Sequence, residues 1–273
     1  MSLVFVSLLM VTVYYFYQNS NDNNTVVKKI ETDTSIHIDS LVNENLKQHF
    51  FLLPKFDKDQ IVKHQLYTLS YNEKHEQANW VAYRLYENSI NDAIKRKDNF
   101  RSDPKITSGS ASVKDYKKSG YDRRHLAPAK AMSFSKETMS ESFYMSNMSP
   151  QKPSFNRGIW KKLEEKVRSL VTVSDSLYIV TGPVLKDSLS FIGDNRVTVP
   201  KAYYKAIIRF KNNELFGVGF LLKNQKSSKE LNTFSVSIDS IEKVTGIDFF
   251  YKLNIEVQNR VESNFNYSYF IQK

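Results

Sequence analysis

Apolar and polar positions change rhythm several times along this chain. The first rhythm is an uncharged run, LVFVSLLMVTVYYFY at 3–17, with no basic side chain before Lys28. Fifteen residues are fewer than the roughly 20 of a comfortable membrane helix, and the run lacks a basic leading region and a small-residue cleavage site. Its apolar density points to a signal sequence or membrane anchor over 1–20; a buried core strand or a truncated start is the competing reading. Residues 21–60 turn polar, as a spacer does, and the spacing of apolar residues at 41–53 suits a short helix. From 61 onward the pattern is that of one compact domain ending near 255. Residues 65–71 and 78–86 alternate as strands, as do 177–180, 206–210 and 215–222. Residues 157–171 place apolar side chains at 159, 160, 163, 167, 170 and 171, which predicts a helix. A second helix is expected at 237–245, stopped by Gly246. The tail, 256–273, shows no clear period. Strands and helices do not alternate as βαβ units, so an α+β domain is expected and a doubly wound parallel sheet is not.

Composition narrows the chemistry. The 273 residues contain no Cys, which removes thiolate metal sites, disulfides and cysteine nucleophiles, so any metal must be held by oxygen or imidazole. The formal charge is +10, which favours a polyanionic partner without identifying one. The excess is concentrated. Residues 95–130 hold eleven Lys and Arg against four Asp. Such a run is commonly just a solvated face.

Inside it lies Tyr121-Asp-Arg-Arg-His-Leu-Ala-Pro-Ala129. In an extended segment, Arg123 and His125 share one face while Asp122 and Arg124 take the other. A neutral imidazole can accept a proton from water, and a neighbouring guanidinium can stabilise charge on a phosphate. About twenty residues later come Ser146-Asn-Met-Ser-Pro-Gln151 and then Asn156-Arg-Gly-Ile-Trp-Lys-Lys-Leu-Glu164. Asn156 and Glu164 are a little over two helical turns apart, close enough to one face for an amide oxygen and a carboxylate to serve a largely water-ligated Mg²⁺. The plain alternatives are a helix N-cap for Asn156 and an exposed acid for Glu164. Trp80 and Trp160 sit at apolar-patterned positions and are expected in the core.

These segments, with Asn79-Trp-Val-Ala-Tyr-Arg-Leu85, Val180-Thr-Gly-Pro183, Val199-Pro-Lys-Ala-Tyr-Tyr-Lys205 and the stretch 241–249, resemble the DNA/RNA non-specific endonuclease family in order and spacing, from about His64 to Leu253. The resemblance implies a ββα-metal fold with a central, mainly antiparallel sheet flanked by helices. It implies Mg²⁺-dependent hydrolysis of phosphodiester bonds in DNA and RNA, with Mn²⁺ as a conceivable substitute and 5′-phosphate products. Carried over by position, His125 matches the general base, Arg123 the arginine two before it, and Asn156 the metal ligand. Asn147 and Glu164 match groups that position the metal and its water. Arg96 matches a phosphate-contacting arginine, with Arg101 in the same segment as the other choice; Arg124 and Lys130 join them as nucleic-acid contacts.

Arg124 is the departure, because the family motif has Gly there. Strand alternation directs Arg124 away from the catalytic face, so retained chemistry is expected; displacement of His125 would lower the rate, whereas an open site would let the extra cation strengthen phosphate attraction. The alternative is a catalytically impaired nucleic-acid-binding module on the same fold. An enzyme that cuts any nucleic acid endangers its own cell, and the apolar start offers a route out, so an exported or membrane-tethered protein is expected. The sequence leaves open whether a homodimer forms.

Overall fold

The computed structural model describes residues 52–55, 59–263, 265 and 267–271. The apolar start, most of the spacer and nearly all of the helix expected at 41–53 lie outside the described residues. Among the described residues no helix is long and apolar enough to cross a membrane.

The strands are β1 (Gln60–Lys63), β2 (Tyr67–Asn72), β3 (Gln77–Leu85), β4 (Asp122–His125), β5 (Met148–Gln151), β6 (Ser176–Pro183), β7 (Phe191–Ile192), β8 (Val197–Thr198), β9 (Ala202–Lys211), β10 (Glu214–Lys223) and β11 (Ser235–Val236). The main helices are α1 (Val113–Tyr116), α2 (Lys136–Glu141), α3 (Lys161–Ser169), α4 (Ile238–Thr245), α5 (Ile255–Ser263) and α6 (Tyr267–Ile271). Seven strands form one sheet in the order β1-β2-β3-β6-β9-β10-β11, and every neighbouring pair is antiparallel. β9 and β10 are joined through Asn212 and Asn213, both at positive φ, the geometry a two-residue hairpin requires and asparagine tolerates. β4 and β5 stand apart as a two-stranded antiparallel ribbon.

The segment after β5 follows its apolar spacing. Trp160, Leu163, Val167, Leu170 and Val171 are buried in the main core, and the Trp160 ring lies 5.7 Å from that of Tyr203 on β9. Each such side chain contributes about 1.5–3 kcal/mol on burial. The helix expected at 157–171 is less regular than its pattern. Asn156–Trp160 is a π-type turn with Gly158 at φ −104° and ψ −115°, and only from Lys161 is the helix α-helical. Trp80 is also in the core.

Paired residues across strands share a face. Tyr203 pairs with Leu222, so Leu222, Phe220 and Val218 lie on the α3 side of the sheet, while Gly217 and Gly219 lie on the other. A Cβ at Gly217 would come within 1.8 Å of the Val261 carbonyl oxygen on α5, and one at Gly219 within 2.7 Å of Ile241 on α4. These glycines let α4 and α5 rest directly on the face opposite α3. α4 is capped as its sequence suggests. The Ser237 side chain accepts from the Ser240 N–H, and Gly246, at φ 74°, ends it.

Two boundaries differ from the sequence pattern. Leu52 is buried and Lys55 bridges to Asp248, so chain assigned to the spacer already belongs to the domain. The tail forms α5 and α6, and the Phe270 carbonyl accepts from the Arg209 guanidinium at 2.7 Å. It is an integral wall.

Candidate active site

The ribbon and the helix that follows it build the site. β4 alternates as expected from Asp122 to His125. On one side the Arg123 guanidinium stacks 4.6 Å above the Phe100 ring, and the His125 ring sits 5.7 Å from Phe100 and 4.7 Å, edge to face, from Phe143. His125 is buried and its Nε2 has no partner. Burial, then the charges of Arg124 and Arg96, hold the imidazole well below its ordinary range. The ring is therefore neutral at pH 7 and able to take up a proton.

On the other side of β4, Asp122 meets the chain at the start of the helical segment. Asn156 Nδ2 donates to Asp122 Oδ2 at 2.6 Å, and Arg157 donates to both carboxylate oxygens at 2.8 and 3.0 Å. A carboxylate can only accept, which fixes the amide orientation. It leaves Asn156 Oδ1 buried and unpartnered. Glu164 Oε1 is likewise buried and unpartnered. These orphan oxygens are hard donors suited to Mg²⁺ and its waters.

Arg124 does not point away from this chemistry. Its guanidinium pairs with Glu164. The strand alternates as anticipated, but Asn156 and Arg157 meet Asp122 while Glu164 on α3 meets Arg124, so the outward side of a short ribbon is the inward side of the site. Burial, then the repulsion of Arg96 and Arg168, pushes the Arg124 guanidinium down to about 10; it stays charged at pH 7.

Arg96, Arg124, His125, Lys130, Lys161, Glu164 and Arg168 line one cleft of about 160 Å³ together with Pro128 and Ala129. Five cations face one carboxylate, an environment for phosphate. Lys161 and Arg168 are absent from the sequence-based set; they sit three residues before and four after Glu164, on one helical stripe, and that spacing was the available signal. Arg96 also lines a second cleft of about 710 Å³ with Lys95, Lys97 and Lys136. Its Nε donates to Asp98 at 2.5 Å. Lys130 pairs with Asp92.

Other candidates stand behind the cleft. Asn147 is fully buried, with its Oδ1 accepting from the Ala127 N–H and its Nδ2 donating to the Ala127 and Ser142 carbonyls. It pins the chain just after His125 and leaves no side-chain group for a metal. Arg101 donates to the Asn99 and Ser140 carbonyls and stacks 4.0 Å from the Tyr144 ring. It holds loop against helix instead of facing the cleft, because backbone carbonyls capture its guanidinium.

Comparison with known proteins joins this geometry to a family. The family model for DNA/RNA non-specific endonucleases matches residues 51–255. The chain belongs to that family. A nuclease of Nostoc sp. is 37% identical over 215 residues, covering 74% of this chain and 77% of the relative. Nuclease C1 of Cunninghamella echinulata is 33% identical, covering 71% and 84%, and human mitochondrial endonuclease G is 31% identical, covering 70% and 69%. A chain of the solved EndoG/EndoGI complex superposes with a TM-score of 0.68 at 33% identity, covering 72% of this chain and 88% of that one. The fold is the ββα-metal nuclease fold, β4 and β5 with the Asn156–Ser169 helical segment as its core, and the protein is a hydrolytic nuclease acting on nucleic acid.

Proposed function

We propose that this endonuclease hydrolyses phosphodiester bonds in DNA and RNA with His125 as general base and one Mg²⁺ held through Asn156. The observation that carries the reading is a neutral, buried imidazole opening on a basic cleft whose single carboxylate is Glu164. His125 takes a proton from the attacking water. Arg123 and Arg96 stabilise charge as it grows on the phosphate. Asn156, oriented by Asp122, offers its carbonyl oxygen to the ion, and Glu164 orders water beside it. Bound Mg²⁺, or Mn²⁺ in its place, would neutralise the phosphate and the departing 3′ oxygen. The residues facing the cleft are mostly cationic and would meet the phosphate backbone in place of base edges, which supports tolerance of both sugars. Incubating single-stranded DNA and RNA with purified protein in Mg²⁺ or EDTA tests this reading. Cleavage of both, with 5′-phosphate ends and only with metal, is expected; metal-independent cleavage, or cleavage of one sugar alone, contradicts it.

The Arg124–Glu164 pair favours a second reading, a nucleic-acid-binding module whose catalysis is impaired. It requires salt-sensitive binding of DNA without cleavage in Mg²⁺ or Mn²⁺. For location, the apolar density of residues 3–17 supports an exported or membrane-tethered enzyme. Fractionation that finds the full-length protein soluble in the cytosol opposes that placement.

A further inference from the structure

We propose that Asp239, Glu242 and Glu262 form a second divalent-cation site, suited to Ca²⁺, that clamps α4 to α5 on the sheet face opposite the catalytic helix. One oxygen from each lies within 4.8 Å of the others. Ligands at about 2.3–2.6 Å from a Ca²⁺ can stand up to about 5 Å apart, whereas the shorter Mg²⁺ distances of about 2.1 Å limit them to about 4.2 Å. Three protein carboxylates within that bound suit Ca²⁺, which gathers several such oxygens, better than Mg²⁺, which keeps most of its waters and takes one or two carboxylates.

Glu262 supplies the independent observation. It is 3% exposed, and its Oε1 has no hydrogen-bond partner. An isolated buried carboxylate oxygen is costly unless something compensates it. Asp239 and Glu242 are only half-buried, which leaves an entry path. Among the described residues, no Lys or Arg is ion-paired with any of the three, although the chain carries a formal charge of +10. Burial, and the charges of Glu242, Asp239 and Asp248, push the Glu262 carboxyl up to about 8. Glu242 is also held in place, since its Oε1 accepts from the Phe249 N–H at 2.7 Å.

The site shares no residue with the His125 cleft, so the two ions can be separated experimentally. The test is calorimetric titration of Ca²⁺ into the full-length protein carrying Asn156→Ala, which removes the proposed catalytic ligand, read beside thermal unfolding with and without Ca²⁺. Saturable binding of one ion with Kd below about 1 mM and a raised Tm are expected, both lost on adding Glu262→Gln. That substitution should also raise the Tm of the metal-free protein, because it removes the cost of burying an ionisable carboxyl. Should Glu262→Gln fold poorly, Asp239→Asn, at a half-exposed position, must weaken Ca²⁺ binding at least tenfold. No Ca²⁺ binding up to about 10 mM, or binding that neither substitution weakens, overturns the proposal.

Discussion

The Arg124 guanidinium closes on the Glu164 carboxylate across the gap between β4 and α3. A glycine at 124, as the resemblance to the family motif leads one to expect, would leave that carboxylate without this partner. Here the acid proposed to order water is neutralised by its own chain, while its second oxygen stays unpartnered. Replacing Arg124→Gly should therefore raise kcat about tenfold, as Glu164 is released. Stability should fall by roughly 3–5 kcal/mol, the cost of leaving a buried charge without its partner. Plasmid-nicking kinetics and thermal unfolding of the same variant check the two effects; a fall in kcat would make Arg124 a phosphate contact instead of a restraint.

The pH dependence follows from His125. Its pKa is lowered first by burial and then by Arg124 and Arg96, so the base remains deprotonated below pH 6.5, its ordinary value. The acid limb of kcat/KM should lie below 6.5. Arg124→Gly removes one lowering charge and should move that limb upward. For stability the sign is the same: the unfolded chain binds a proton near 6.5 that the folded site refuses, so His125 destabilises the fold as pH falls through that value. A limb at or above 7 in the wild type would oppose a buried neutral base.

Much of this was legible in the sequence. Alternation in 65–71, 78–86, 206–210 and 215–222 corresponds to β2, β3, β9 and β10, because strands in a covered sheet leave a period of two or a continuous apolar run. Ser237 and Gly246 marked both ends of α4. What alternation cannot say is what packs over each face. It separated Arg123 and His125 from Asp122 and Arg124, yet it gave no means of seeing that Asn156, Arg157 and Glu164 of the following helical segment meet the second pair. Asp122, which orients Asn156, was overlooked for the same reason. The tail escaped because α5 rests on Gly217 of β10 and α6 sets Tyr267 and Phe270 against Phe220, fits between distant segments that leave little periodic trace.

Asn147 acts through backbone. Asn147→Ala removes three hydrogen bonds that hold Ala127 and Ser142, at a cost of about 2–4 kcal/mol. Because it frees the chain next to His125, kcat should fall about 100-fold with KM little changed. A variant that loses stability but keeps kcat would confine Asn147 to a structural role.

The cations of the cleft should set the salt response. Arg168→Ala and Lys161→Ala should each reduce the slope of log affinity against log salt by about 0.7–0.9, one phosphate contact apiece. Binding is best followed with Mg²⁺ absent, so that cleavage does not intervene. Slopes equal to wild type would place both side chains outside the nucleic-acid path.

The central claim is that one imidazole at the end of β4 acts as the base in a metal-assisted hydrolysis. The initial rate of supercoiled-plasmid nicking by the wild type and by His125→Ala, each in Mg²⁺ and in EDTA, tests it most directly. The account requires Mg²⁺-dependent nicking by the wild type and a loss of about 10²–10⁴-fold in the variant; nicking by His125→Ala at the wild-type rate would contradict it.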